Sequence, residues 1–109
     1  MTVNELCARL NFKAVCIPDG DREIDGVYVG DLLSWVMGRA EENMAWITIM
    51  SNSNTVAVAT LVGLSVIILA EGVTPDSDTE TIAMEKGVNV LISPLSAYET
   101  AIKLSEVLI

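Results

Sequence analysis

A chain of 109 residues can bury one hydrophobic core and is too short for two ordinary domains, and its 51% hydrophobic and 19% charged residues lie far from a disordered composition. Six Lys and Arg against 15 Asp and Glu leave a formal charge of −9, which repels phosphate backbones and anionic headgroups and so argues against nucleic acid or a membrane as partner. Histidine is absent, which removes Ser-His-Asp, Cys-His and His-metal chemistry; no catalytic set, metal site or cofactor is expected.

The first residues, Met-Thr-Val-Asn-Glu-Leu, have no basic start followed by an apolar run, so they do not read as a secretory signal, and a cytoplasmic protein is expected. Thr2 and Glu5 have capping-box spacing and precede Val3, Leu6, Cys7 and Leu10, one stripe of a short helix. Cys7 and Cys16 form no C-x-x-C pair and stand where apolar core residues belong, which predicts buried free thiols. Residues 14–17 read as a strand, Pro18-Asp19-Gly20-Asp21 as a turn and 24–29 as a short strand. Asp31 reads as the cap of a helix running through Trp35 to about Arg39.

The second half is more regular. Strands at 46–50, 65–69 and 88–92 alternate with helices at about 54–62, from Ser77 to Lys86, and from Ser96 onward. Ser77/Glu80 and Ser96/Glu99 repeat the capping-box spacing, Gly87 stops one helix, and Ala97, Ala101, Leu104 and Leu108 form the stripe of the last. Apolar runs of this length without alternation suit strands covered on both faces. The fold class is therefore α/β: one domain over residues 1–109, three layers α/β/α, with a mainly parallel sheet of four to five strands joined by right-handed crossovers. The weakly polar stretch 56–70 falls short of the roughly 20 residues of a membrane span and reads as a buried helix entering a buried strand. The helix at 54–62 is apolar nearly all round, so a second copy is expected to cover part of it or of the helix at 32–37, giving a homodimer.

Ligands of open parallel sheets sit beyond the carboxyl ends of the strands. The loops there supply Ser51, Asn52, Ser53 and Asn54, then Gly72 and Thr74, then Ser93 and Ser96 as candidate ligand-binding residues. Four small hydrogen-bonding side chains before a helix could hold a neutral or anionic group; capping by Asn54 and ordinary turn chemistry is the alternative. Glu71 would repel a phosphate in the second loop. The acidic run Asp19, Asp21, Glu23 and Asp25 lacks the spacing of a calcium loop and reads as a solvated turn. Trp35 and Trp46 suit either a partner surface or the core.

The segments 21–34 (DREIDGVYVGDLLS), 46–49 (WITI), 56–59 (VAVA) and 66–69 (VIIL) resemble the DRTGG domain family over essentially the whole chain, above all Gly30-Asp31-Leu32-Leu33-Ser34 with Val36-Met37. The likeness is closest to stand-alone members found in anaerobes, often encoded near iron-only hydrogenase components. It implies a domain similar to the N-terminal domain of HPr kinase/phosphorylase, with relatives as accessory modules of phosphotransacetylases and, beside CBS domains, of regulated pyrophosphatases under adenine-nucleotide control. Asp25-Gly26-Val27 stands where relatives read Thr-Gly-Gly before the Tyr, Ser51-Asn52-Ser53 where many regulatory members read Gly-Asp-Arg, and Glu71 replaces a glycine.

Two functions follow as expectations. One is a non-catalytic regulatory or protein-interaction module with a protein partner in hydrogen or energy metabolism. The other is a small-ligand sensor binding an adenine nucleotide at the three strand-end loops.

Overall fold

The computed structural model describes residues 1–108. Along these the elements run α1 (Val3–Leu10), β1 (Lys13–Cys16), β2 (Val27–Val29), α2 (Leu33–Arg39), β3 (Ala45–Thr48), α3 (Ser53–Val62), β4 (Val66–Leu69), α4 (Ser77–Lys86), β5 (Val90–Ile92) and α5 (Ala97–Val107). The strands form a single sheet in the order β1-β5-β4-β3-β2, in which β2 to β5 are parallel and β1 pairs antiparallel with β5. The central strands are buried at every position, which explains why their sequences show no alternation.

Successive side chains of a strand point to opposite faces, so each buried run feeds two cores. Trp46, Ile67, Leu69, Val90 and Ile92 pack with Val36 of α2, Val56 and Ala59 of α3 and Ala83 of α4. Ala45, Ile47, Val66, Ile68 and Leu91 pack on the other side with Val3 and Leu6 of α1, Ile24 and Leu104 of α5. The result is the expected α/β/α layering.

Three capping assignments move. Thr2 and Ser96 cap their helices as expected, each accepting from the amide three residues on. At α4 the cap is Asp76, whose carboxylate accepts from the Thr79 amide at 2.7 Å; Ser77 is already helical. A carboxylate at this position adds a favourable interaction with the helix dipole that a hydroxyl lacks. At α3 the cap is Asn52, accepting from Asn54 and Thr55, so Asn54 is in the first turn instead of capping it. Asp31 does not cap α2, whose N-cap is Leu32 without a side-chain bond. The strand expected at 24–29 shortens to β2, with Ile24 turned into the α1/α5 core.

The Asp76 carboxyl is held below its ordinary value of 3.8, first by the Thr79 amide and then by the Thr79 hydroxyl. A depressed folded value means that the bond contributes above the unfolded carboxyl's pKa and is lost as the pH falls through the lower folded one. Urea unfolding of Asp76→Ala should therefore show a stability deficit near neutrality that narrows below pH 3.8; a deficit independent of pH would contradict it.

Both cysteines are free, but half-buried instead of fully buried. Burial pushes both thiols up, which keeps them protonated. The apolar helix α3 lies between α2 and α4, so its own chain supplies most of its cover, although Leu61 remains 73% exposed. No helix of the described residues is long and apolar enough to cross a membrane.

Candidate functional site

The carboxyl ends of β2, β3, β4 and β5 carry four loops. Along the parallel part of the sheet the spatial order follows the chain order without reversal. A crevice opens at a strand end where the order reverses, and here neighbouring crossovers all proceed the same way.

The eight candidate residues do not converge. Ser51 and Asn52 line a cleft between α3 and α4, with Pro75 and Thr79 opposite and Leu69 and Val90 on the floor. Its enclosed space is about 10 Å3, roughly one water. The Asn52 carboxamide oxygen is already occupied by the amides of Asn54 and Thr55, and the Met50 carbonyl accepts the Thr55 hydroxyl at 2.9 Å. Ser53 and Asn54 are exposed in the first turn of α3.

Gly72 and Ser93 do come together, as parts of a seam that joins the loops after β4 and β5. The Gly72 amide donates to the Ser93 carbonyl at 2.8 Å, and the Glu71 amide to the Leu95 carbonyl at 2.7 Å. These are the amides that a phosphate in this loop would have to use. Glu71 and Gly72 both have positive φ, 59° and 67°, so Glu71 occupies the left-handed conformation that suits the glycine of the resembling sequences. The buried Ser93 hydroxyl shares a hydrogen bond of 2.8 Å with Thr100 and accepts from the Leu95 amide, while the Ser96 hydroxyl caps α5. Thr74 makes one long contact, 3.5 Å, to the Gly72 carbonyl.

The charge of this end is one-sided. Residues 28–31, 48–55, 70–80 and 92–99 contain no Lys or Arg and carry Asp31, Glu71, Asp76, Asp78, Glu80 and Glu99. An anionic ligand in these loops meets repulsion with no Lys or Arg of the loops to offset it, although Lys13 of β1 stands opposite Ile92 at the same end of the sheet. Among the described residues no three His, Cys, Asp or Glu side chains converge to hold a metal, the acidic run 19–25 included.

Sequence reading missed the role of Asp31. Its Oδ1 accepts from the Thr48 hydroxyl at 2.7 Å and the Ile49 amide at 3.1 Å, which ties the exit of β2 to the exit of β3. Exposed apolar residues adjoin this tie along the chain. Val29 precedes it, Leu32 follows it at 56% exposure, Trp35 stands one turn further at 51%, and Ile49 is the residue bonded by it. Within α2 only Val36 is fully buried, and Arg39 lies 3.7 Å over the Trp35 ring. Trp46, by contrast, is completely buried and donates Nε1–H to the Gly30 carbonyl at 2.8 Å. One tryptophan thus belongs to the core and the other to the surface.

Arg22 of the DREIDG segment lies at the amino ends of the strands, opposite the candidate loops. Its guanidinium donates to Asn43 Oδ1 at 3.1 Å and to the carbonyl of Gly63, the C-cap of α3. A cation at a helix C-terminus is where the dipole favours it, so this residue closes the fold.

No known protein family matches the chain by sequence pattern, and no curated protein matches it in sequence. Among the solved structures similar to this chain is that of the CBS and DRTGG domains of the regulatory region of Clostridium perfringens pyrophosphatase, complexed with the activator diadenosine tetraphosphate. The two agree with a TM-score of 0.70 at 18% identity, over 94% of this chain and 45% of that one. The likeness is one of fold. This chain spans less than half the length of that regulatory region. The expected α/β architecture therefore has a counterpart in a CBS- and DRTGG-containing region, which supports the resemblance at the level of fold.

Proposed function

We propose that the chain is a non-catalytic, cytoplasmic regulatory module that works by binding protein, and that the binding surface is α2 with the exits of β2 and β3. The observation that carries this reading is the exposed apolar group around Asp31, formed by Val29, Leu32, Trp35 and Ile49. Exposed apolar side chains at one end of a fold suit an interaction site, and a half-exposed tryptophan is a typical anchor. The occupant is a second copy of the chain, and the homodimer presents its remaining surface to a partner in hydrogen or energy metabolism.

Light scattering tests the first step. The wild type is expected to run as a dimer at micromolar concentration, and Trp35→Lys to shift the dimer dissociation constant upward by at least about tenfold, since roughly 1.4 kcal/mol suffices for that. Because Trp35 is half exposed, the variant should keep its circular dichroism. A monomeric wild type would rule out the dimer, and a Trp35→Lys variant that dimerises as tightly as the wild type would rule out this surface.

A second reading has one specific observation in its favour: the structurally similar regulatory region was solved with an adenine-nucleotide activator bound. It makes this chain an adenine-nucleotide sensor at the strand-end loops. The occupied amides of Glu71 and Gly72 and the absence of Lys and Arg from the loops themselves weigh against it. A ligand at 100 times its dissociation constant stabilises a fold by about 2.7 kcal/mol, so thermal unfolding with diadenosine tetraphosphate, ATP and AMP decides the matter. An unchanged melting temperature with all three eliminates the sensor.

A further inference from the structure

Each edge of the sheet is a strand with one partner. β2 pairs with β3 and packs against α5. β1 pairs only with β5, so one side of its backbone faces outward, and among the described residues no loop, turn or cap hydrogen bond reaches that backbone. Next to it runs a groove of about 560 Å3 whose other wall is α4. The wall is one helical face: Ser77, Glu80, Thr81, Met84 and Glu85, spaced three and four apart and all exposed. Val15 forms the strand side; it is the residue skipped by the register, where Ala14 faces Leu91 and Cys16 already faces Val90.

We propose that this groove takes an extended segment of a partner protein, with apolar and basic side chains on one face, added to β1 as a further strand. An open edge supplies main-chain hydrogen bonds, and the adjoining helix reads alternate side chains of the added strand. Met84, 56% exposed, and Val15 offer apolar contact. Glu80 and Glu85 offer negative charge, and among the described residues neither makes a salt bridge. The groove charge and the net charge of −9 together attract a basic segment along the whole approach. A second copy of this chain is a poor occupant, since it brings the same excess of negative charge. The irregular register and the exposed Lys13 blunt the edge against indiscriminate sheet pairing, so a segment gains only if it also matches the α4 face. This inference does not depend on the α2 surface, and either can fail without the other.

The test is a titration of the 15N-labelled protein with acetyl-Lys-Thr-Val-Thr-Lys-Thr-Val-Thr-amide, which as a strand puts Lys and Val on one face. The expected result is amide shifts confined to residues 13–17 and 77–86, and affinity reduced at least about tenfold in the double variant Glu80→Lys/Glu85→Lys. The same composition reordered as acetyl-Lys-Lys-Val-Val-Thr-Thr-Thr-Thr-amide, and the first peptide with Glu in place of Lys, are expected to bind at least about tenfold more weakly. These two arms use the wild type and stand even if the double variant does not fold. Equal binding of the reordered peptide, shifts spread over the acidic surface, or no shift up to about 1 mM peptide would overturn the proposal.

Discussion

Asn89→Ala is expected to lower the unfolding free energy by about 3–5 kcal/mol, because one buried side chain serves three backbone groups and leaves about 1–3 kcal/mol of unmet hydrogen bonding at each. Its Oδ1 accepts from the Asp19 amide at 3.0 Å, and its Nδ2 donates to the carbonyls of Asp19 and Ser65, both at 2.9 Å. The turn after β1 and the entry to β4 are thereby held to the entry of β5. Asn89→Asp keeps the shape and the acceptor but turns the two donor bonds into a carboxyl facing two carbonyls. Burial at 1% exposure raises the folded pKa of such a carboxyl. The stability of Asn89→Asp should consequently be greatest below the unfolded carboxyl's pKa and fall as the pH rises through the folded one. Urea unfolding at acidic and neutral pH, followed by tryptophan fluorescence, checks both variants. A deficit under about 1 kcal/mol for Asn89→Ala would mean that water replaces the amide without loss.

How legible this was in the sequence depends on the range of the interaction. The buried runs ending in Thr48, Leu69 and Ile92 announced a parallel sheet because burial on both faces leaves a local mark. The antiparallel edge position of β1 left none: strand order is set by pairings far apart in sequence, such as Lys13 with Ile92. Caps were legible to within one or two residues, since Asp76 and Ser77, or Asn52 and Asn54, are chemically interchangeable until the backbone selects one. The loops of the candidate site show the same ambiguity. Ser93, Ser96 and Asn52 have the composition of a ligand loop, yet their side chains are taken up by their own backbone or a neighbouring hydroxyl. Two signals would have helped: Thr48 and Asn89, each a polar residue inside an apolar run, mark the partners of Asp31 and Asp19. The DREIDG segment, one of the stretches that carry the resemblance, holds the amino ends of the strands together through Arg22, far from the loops where a ligand was sought.

The second large effect is expected at Trp46, where truncation to alanine should cost about 3–5 kcal/mol. The ring is the largest fully buried side chain and reaches the core shared by α2, α3 and α4. Lost transfer energy and an unfilled cavity both contribute, since the surrounding helices can collapse only partly into the space. Trp46→Phe separates area from hydrogen bonding. It keeps most of the buried aromatic surface and frees the Gly30 carbonyl, which now receives Nε1–H at 2.8 Å. A deficit of about 1–2 kcal/mol is expected for Phe, part from the orphaned carbonyl and part from the smaller ring. The Phe variant also bears on the interaction surface, because Gly30 immediately precedes Asp31, whose bonds to Thr48 and Ile49 set the positions of Leu32 and Trp35. Loosening Gly30 should raise amide hydrogen exchange at residues 30–33 and weaken the dimer proposed above before the protein unfolds. If Trp46→Phe leaves exchange at 30–33 unchanged while lowering global stability, the indole bond anchors the core alone and the surface around Asp31 is held by the Thr48 and Ile49 bonds without it.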